Sequence, residues 1–150
     1  MSHSPNVTLR EITADTVRTI CNLDVTAMQK NFVAPNAVSI AQAYFEPQAW
    51  FRAIYAGDTA VGFLMTFEAP DRGFYYLWRF MIDHRHQGQG YAQAGLSLLI
   101  ERIKTRPNAT KLKLSVVPEN GRAIRFYESM GFVATGEIEH DEHVYELDLK

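Results

Sequence analysis

The most constraining feature of this sequence is an apolar run that leads through a short glycine-containing segment into an amphipathic helix. Residues 74–82 are almost continuously apolar and aromatic, which is typical of a strand covered on both faces. After the glycines, apolar residues recur at helical spacing, as Ala92, Leu96, Leu99, Ile100 and Ile103. A helix that directly follows a buried strand can cover one face of it, so we expect this strand at the centre of a sheet.

The remaining elements follow from shorter patterns. Strands are predicted over residues 7–12, 49–56, 60–69, 112–117, 132–138 and 144–149. Helices are predicted over 15–23 after an N-cap at Thr13, from an N-cap at Ser39 through Phe45, and after Asn120 as far as Met130. The order β, α, α, β, β, β, α, β, α, β, β predicts one α/β domain over residues 1–150, with helices on the faces of a mixed sheet.

The charge and cysteine content exclude several classes of protein. The net charge is -2, which provides no basic surface for nucleic acid or anionic lipid, so we expect neither as a partner. The single cysteine, Cys21, excludes an internal disulfide and a thiol zinc cluster. We find no signal-peptide pattern and no apolar run of about 18 residues, so we expect a cytoplasmic protein outside the membrane.

The segment between the buried strand and the helix has the composition of an anion site. Its sequence is Arg85-His86-Gln87-Gly88-Gln89-Gly90-Tyr91-Ala92. Glycines let the backbone approach a ligand closely, and the first N–H groups of a helix lack partners within the helix and attract phosphate. The alternative is a tight turn that binds nothing. A nucleotide site is disfavoured, because neither the third glycine of a dinucleotide fold nor the lysine of a P-loop is present.

A second motif follows about 30 residues later and makes the pattern specific. Arg85-x-x-Gly88-x-Gly90 resembles the R/Q-x-x-G-x-G/A acetyl-CoA signature of the GNAT superfamily of N-acetyltransferases. Residues 120–132, read as N-x-x-A-x-x-F-Y-x-x-x-G-F, resemble its second signature. The run 77–83 is most similar to bacterial enzymes related to diamine and spermidine/spermine acetyltransferases. The resemblance implies the GNAT fold, with a central, largely antiparallel sheet splayed around acetyl-CoA.

The same resemblance implies where acetyl-CoA binds. Backbone groups of Phe80, Met81 and Ile82 would pair with the pantetheine arm. The segment 87–92, which comprises Gln87, Gly88, Gln89, Gly90, Tyr91 and Ala92, would hold the pyrophosphate, with Arg85 contributing its side chain. Asn120, with Ala123 and Phe126 on the same helix, would complete the site. Family members often carry glycine and a basic residue where this chain has Ala92 and Gln93, so phosphate binding here would depend more on the backbone.

Tyr127 is the predicted catalytic residue. Attack of an amine on a thioester releases a thiolate, which a phenol can protonate, and the resemblance assigns this role to Tyr127. The alternative is a core tyrosine, because Tyr127 shares a helix face with Ala123, Phe126 and Met130. A backbone N–H near Phe80 or Met81 would stabilise the oxyanion if a bulge splays the central strand.

The base that takes the proton of the amine is not evident, because the central strand contains no acidic residue. The candidates are Glu119, Glu137, Glu139 and His140, or a chain of water molecules. Arg79 is unusual in so apolar a strand, and a structural ion pair is favoured over a contact with substrate.

Three further features allow two interpretations each. The stretch 137–143 is acidic and would suit a cationic amine, although a solvated hairpin is favoured. Its two histidines, His140 and His143, would lack a fixed geometry, so we expect no metal. Four aromatic residues could wall an acceptor pocket, although ordinary packing is favoured for them: Tyr44, Phe45, Trp50 and Phe51.

The sequence thus predicts an acetyl-CoA-dependent N-acetyltransferase that acts by direct attack of a primary amine. A small amine such as a polyamine is the favoured acceptor. The alternatives are a protein N-terminus or lysine, or a CoA-binding sensor that lacks turnover. Relatives commonly form dimers, so a homodimer is possible here.

Overall fold

A computed structural model describes residues 6–150 as one sheet with helices packed against it. The strands are β1 (Val7–Arg10), β2 (Ala49–Ala56), β3 (Thr59–Ala69), β4 (Phe74–Ile82), β5 (Lys111–Val116), β6 (Val133–Glu139) and β7 (Glu142–Asp148). The helices are α1 (Val17–Cys21), α2 (Asn36–Tyr44), α3 (Tyr91–Lys104) and α4 (Gly121–Ser129). Short 3-10 turns lie at Gln29–Asn31, Pro70–Arg72 and His84–His86.

The sheet order within this range is β1-β2-β3-β4-β5-β7-β6, so β4 lies at the centre, as its apolar sequence predicts. Neighbouring strands run antiparallel except β4 and β5, which run parallel. The mixed and mostly antiparallel sheet predicted from the sequence is therefore confirmed. Among residues 6–150, no helix combines the length and apolar character that a bilayer span requires.

Side chains of the central strands divide between two cores because successive residues of a strand point to opposite faces. Leu64 packs with Leu96 and Leu99 of α3 on one face of the sheet. On the other face, Phe63 packs with Ile20 of α1 in a second buried cluster. The amphipathic stripe of α3 thus covers the sheet, as the helical spacing predicts.

Two predicted helix starts are wrong. The first helix begins at Val17, four residues after Thr13, and the side chain of Ser39 lies buried inside α2 instead of capping it. Helix α2 begins at Asn36, directly after Pro35, whose φ of -57° places the chain at the entrance of a helix. The Asn36 side chain also donates a 2.9 Å hydrogen bond to the Ile20 carbonyl, a tertiary contact that no local pattern predicts.

The sheet opens between β4 and β5. Within the described range these strands share one register pair, Tyr76 with Lys113, whereas β4 is paired with β3 from Phe74 to Ile82 except at one residue. The register of β3 against β4 also shifts, because Met65 faces Arg79 and Thr66 faces Leu77, which leaves Trp78 as the extra residue of a bulge. The bulge on which the predicted oxyanion site depends is therefore present in the central strand, at Trp78.

Candidate active site

A cavity of about 370 Å³ occupies the opening between β4 and β5. Its floor is the second half of β4, from Leu77 to Ile82, and one wall is β5 from Leu114 onward. Beyond Tyr76, β4 has no strand neighbour on this side among residues 6–150, so backbone groups there are open to a ligand. Most of the predicted cofactor residues line this cavity: Phe80, Met81, Ile82, Gln87, Gly88, Gly90, Tyr91, Ala92, Asn120, Ala123 and Phe126.

One end of the cavity is the N-terminus of α3. Gly88 and Gly90 adopt left-handed conformations, with φ of 80° and 84°, which side chains with a Cβ rarely adopt. Within the described range no side chain caps α3, and its first turn contains no acidic residue. The first N–H groups of α3 therefore remain free for an anion, and the helix dipole favours one.

The side chain of Gln87 fixes this loop in place. Its Nε2 donates hydrogen bonds of 2.9 Å to the Ile82 carbonyl and to Oε1 of Gln29. The loop is thus joined to the end of β4 and to the 3-10 turn at Gln29–Asn31. Gln87 therefore positions the loop with its side chain, which leaves its backbone available to a ligand.

Arg85 and Gln89 are the two predicted cofactor residues that the cavity wall does not include. The Arg85 side chain instead pairs with the buried Asp83, with 2.8 Å between Nε and Oδ2. Burial alone would raise the pKa of Asp83, but hydrogen bonds from Arg85 and from the Asp24 N–H outweigh it and lower that pKa. Asp83 thus joins the end of β4 to residue 24 and to the glycine loop.

Tyr127 lies on α4 and faces the cavity. Its ring packs 5.4 Å from Phe126 and 5.6 Å from Phe132, measured between ring centroids, and Phe126 in turn stacks on Phe80 of β4. Burial raises the pKa of Tyr127, and the nearby Tyr76 phenol raises it further, so the hydroxyl stays protonated at neutral pH. A protonated phenol at this position can donate a proton to a leaving group.

Asn120 caps α4, as predicted. Its side-chain oxygen accepts a hydrogen bond of 3.3 Å from the N–H of Ala123. The cap aligns α4 so that Ala123, Phe126 and Tyr127 all face the cavity. Asn120 also lines the cavity itself, so the cap leaves it within reach of a ligand.

A second cavity, of about 550 Å³, adjoins the first. Residues shared by the two walls include Trp78, Arg79, Ser115 and Glu142, so the cavities meet where β4 and β5 separate. Charged and titratable groups of the second cavity are Lys30, Tyr76, Arg79, Glu139, His140 and Glu142. Two of the base candidates from the sequence, Glu139 and His140, therefore lie in this wall, and Glu119 and Glu137 line neither cavity.

A chain of hydrogen bonds joins Tyr76 of β4, Ser115 of β5 and Glu142 of β7. The Ser115 hydroxyl donates to Oε1 of Glu142 at 3.2 Å, and the Tyr76 hydroxyl contacts Ser115 Oγ at short range. Sequence reasoning missed Tyr76 and Glu142, which are 66 positions apart in the chain. The available signal was the acidic stretch at residues 137–143, but only the pairing of β5 with β7 identifies which of its acids faces the cleft.

Arg79 does not form the structural ion pair that its sequence context predicts. Among residues 6–150, no carboxylate lies within 4 Å of it. Its guanidinium donates to the Gln42 side chain at 3.0 Å and to the Trp78 carbonyl at 3.2 Å, and its buried Nε has no hydrogen-bond partner in that range. Burial lowers the pKa of Arg79, because the cavity wall removes part of its hydration.

The four aromatic residues considered for the acceptor pocket line neither cavity. Trp50 packs between the guanidinium groups of Arg52 and Arg102, at 4.4 and 3.6 Å from its ring centroid. Phe51 packs near Phe63 in the core, whereas Tyr44 and Phe45 are 84% and 81% exposed.

The chain belongs to the acetyltransferase (GNAT) family, whose model matches residues 18–132. It is 29% identical over 144 residues to the spermine/spermidine N(1)-acetyltransferase of Bacillus subtilis strain 168, covering 89% of this chain and 92% of that protein. It is therefore an acetyltransferase, as its two motifs predict.

Solved structures of other acetyltransferases share the fold. Spermidine N-acetyltransferase from Vibrio cholerae, in complex with CoA and spermine, superposes with a TM-score of 0.76 at 20% identity over 96% of both chains. The ribosomal-protein-S18-alanine N-acetyltransferase from Escherichia coli superposes with a TM-score of 0.72 at 18% identity, over 96% of this chain and 94% of that one.

Proposed function

We propose that this enzyme transfers the acetyl group of acetyl-CoA to a primary amine of a polyamine by direct attack. The proposal rests on one observation: the two cavities meet at the point where β4 and β5 separate, which we call the fork. The first cavity ends at the free N-terminus of α3, and the second contains Glu139 and Glu142. A thioester brought along the first cavity would meet an amine from the second at the bulge in β4.

Residues of this chain would bind acetyl-CoA mainly through the backbone. The open side of β4 at Phe80, Met81 and Ile82 would pair with the amides of the pantetheine arm as an added strand does. The N–H groups of the glycine loop at residues 87–92 would hold the pyrophosphate. Asn120 would bind the pantetheine arm from the opposite wall. We assign Arg85 a supporting role, because its guanidinium is engaged by Asp83.

Tyr127 would protonate the CoA sulfur as the carbon–sulfur bond breaks. The phenol carries its proton at neutral pH, because burial raises its pKa, so it is in the protonated form that a proton donor needs. A backbone N–H near Phe80 or Met81, beside the bulge at Trp78, would stabilise the oxyanion. Holding both reactants at this fork would supply much of the rate, and no acetyl group need pass through Cys21.

A polyamine is the proposed acceptor because the second cavity carries two carboxylates and because the named relative from Bacillus subtilis acts on spermine and spermidine. A protein N-terminus or lysine side chain is the alternative acceptor.

We further expect this enzyme to be cytoplasmic. We also expect it to form a homodimer, which sedimentation equilibrium would detect.

The test measures initial rates of CoA release with a panel of polyamines, amino acids, aminoglycosides and short peptides. We expect the highest kcat/KM with a polyamine, and a fall in kcat of at least about tenfold for Tyr127→Phe. Tyr145→Phe is the matched control, because Tyr145 is a buried tyrosine that lines neither cavity, and it should keep wild-type kcat.

Each possible result has a defined meaning. A preference for peptides over polyamines would show that the acceptor is a peptide amine, and the proposed acetyl transfer would still hold. Binding of acetyl-CoA with no turnover of any amine would contradict the proposal and favour a CoA-binding sensor. Equal kcat for Tyr127→Phe and Tyr145→Phe would remove Tyr127 as the acid.

A further inference from the structure

The hydrogen bonds among Tyr76, Ser115 and Glu142, here named the hydroxyl relay, have a defined direction. A serine hydroxyl carries one hydrogen, and that of Ser115 is donated to Glu142. Ser115 Oγ must therefore accept the hydrogen of Tyr76. This order leaves the lone pairs of the Tyr76 oxygen free to accept a further hydrogen bond. All three groups are thus aligned to carry a proton from Tyr76 towards Glu142.

The relay lies between the proposed reaction centre and the second cavity. Ser115 and Glu142 line both cavities, whereas Tyr76 lines the second, two residues before the bulge at Trp78. The Tyr76 phenol also lies near enough to Tyr127 to contribute to the raised pKa of the Tyr127 phenol. An amine that enters through the second cavity would therefore pass the Tyr76 oxygen before it reaches the thioester.

The charges around Glu142 come from several elements. Arg79 and Tyr76 face it from β4, and Glu139 lies directly across from it on β6. Lys30 and His140 complete the titratable groups of the same cavity, and Lys30 is itself paired with Asp24 at 3.1 Å. Burial raises the pKa of Tyr76, so this phenol carries a proton through the neutral range and can pass one on.

We propose that the hydroxyl relay removes the proton of the attacking amine, with Tyr76 as the group that contacts the amine and Glu142 as the final acceptor. This inference rests on the proposed acetyl transfer. It supplies the base that the central strand lacks, and it selects Glu142 from the acidic hairpin because Glu142 is the acid joined to the cleft by hydrogen bonds.

The proton balance is complete without another reactant. A protonated amine loses two protons when it becomes an amide. The nitrogen gives one to the Tyr76 oxygen, while Tyr76 gives its own to Ser115, and Ser115 gives its own to Glu142, which releases it to solvent. The nitrogen–carbon bond forms, the carbon–sulfur bond breaks, and Tyr127 gives a proton to the sulfur. The nitrogen loses its second proton as the amide forms, and this proton restores the Tyr127 phenol, so that of the two protons one ends on the thiol and one in solvent.

The experiment measures kcat and kcat/KM from pH 6 to 10 for the wild type and Glu142→Gln, with the polyamine that the wild type uses best. We expect kcat at neutral pH to fall about 100-fold in Glu142→Gln, at the lower end of the usual range for general-base catalysis. The deficit should shrink towards pH 10, because the amine then arrives already neutral. A merely structural role for Glu142 gives no such recovery.

Glu139→Gln is the matched control for charge. It removes one negative charge from the same cavity, at the position across from Glu142, without interrupting the relay. We expect it to raise KM for the amine with little change in kcat. If Glu142→Gln and Glu139→Gln alter KM and kcat alike, Glu142 attracts the cation and does not act as a base, and the relay is contradicted.

Ser115→Ala and Ser115→Thr test the middle of the relay with Glu142 intact. The alanine variant should reproduce the loss of kcat and its recovery at high pH, whereas threonine keeps a hydroxyl and should retain most of the rate. Wild-type pH profiles in both Glu142→Gln and Ser115→Ala would overturn the relay while the acetyl transfer stood. Absence of turnover in the wild type would instead refute the transfer itself.

Discussion

The two sides of β4 differ in how completely their polar groups are paired. Towards β3 the strand is paired at all but one residue, and the nearby carboxylate of Glu68 on β3 is held by Arg102 at 2.6 Å and by the Thr66 hydroxyl at 2.6 Å. Towards β5 the strands separate after Tyr76, and Arg79 has no carboxylate partner among residues 6–150. The paired side supports the sheet, and the open side retains the groups that a substrate can use.

Glu68→Gln gives the largest expected loss of stability. Glu68 is 5% exposed and pairs with Arg102 and Arg106. Glutamine lacks the negative charge of Glu68, so both arginines lose their ion-pair partner. This loss should lower the free energy of unfolding by about 3 kcal/mol. Urea denaturation measures this loss. Glu101→Gln, on the exposed face of α3, is the control and should change stability by less than about 0.5 kcal/mol. If Glu68→Gln lowers kcat but leaves the free energy of unfolding unchanged, the paired side of β4 also takes part in catalysis, and the two sides are not separate in function.

Asp83→Asn should cost less, about 2 kcal/mol, because it weakens charge-assisted hydrogen bonds to Arg85 and to the Asp24 N–H. The pKa of Asp83 is lowered in the folded state, so its contribution to stability is present above the ordinary value of 3.8 and is lost as pH falls below it. Thermal unfolding between pH 2.5 and 7 should show a weaker pH dependence for Asp83→Asn than for the wild type. Parallel profiles would contradict this role.

Gly88→Ala tests the open side of β4. A φ of 80° should make alanine cost about 1 kcal/mol, and the added methyl meets no atom within 4 Å in the described structure, so the fold should persist. We expect a severalfold rise in KM for acetyl-CoA. Gly57→Ala is the matched control, because Gly57 has a φ of 60° with equal space but lies in the turn between β2 and β3. An equal rise in KM for both variants would refute anion binding at this loop.

Arg79→Met has the smallest expected effect on stability, within about 0.5 kcal/mol, because no buried carboxylate loses a partner. Its effect should appear in binding. Removing a positive charge from the second cavity should lower KM for a polyamine severalfold at low salt, since like charges repel. A strong loss of stability would show that Arg79 belongs to the paired side after all. A rise in KM would indicate an acceptor that carries an anionic group.

Local patterns in the sequence predicted most of the framework of the site. The apolar run at residues 74–82 became the central strand, and Asn120 caps α4 as its side chain predicts. Gly88 and Gly90 take the positive φ values expected of glycines that lead into a helix. The predicted start of α2 at Ser39 was wrong, because Pro35 and the contact of Asn36 with Ile20 outweigh the propensity of Ser39 to cap a helix N-terminus.

Local sequence patterns were therefore sufficient to predict the family, the order of elements and the residues of two motifs, since these depend on periodicity and turn chemistry over a few residues. The tertiary structure alone decided that β4 and β5 separate after Tyr76, that Arg79 lacks an ion pair, and that Glu142 meets Ser115 across two strands. Such contacts join residues far apart in the chain, and their partners are set by sheet order and register, which no local pattern records.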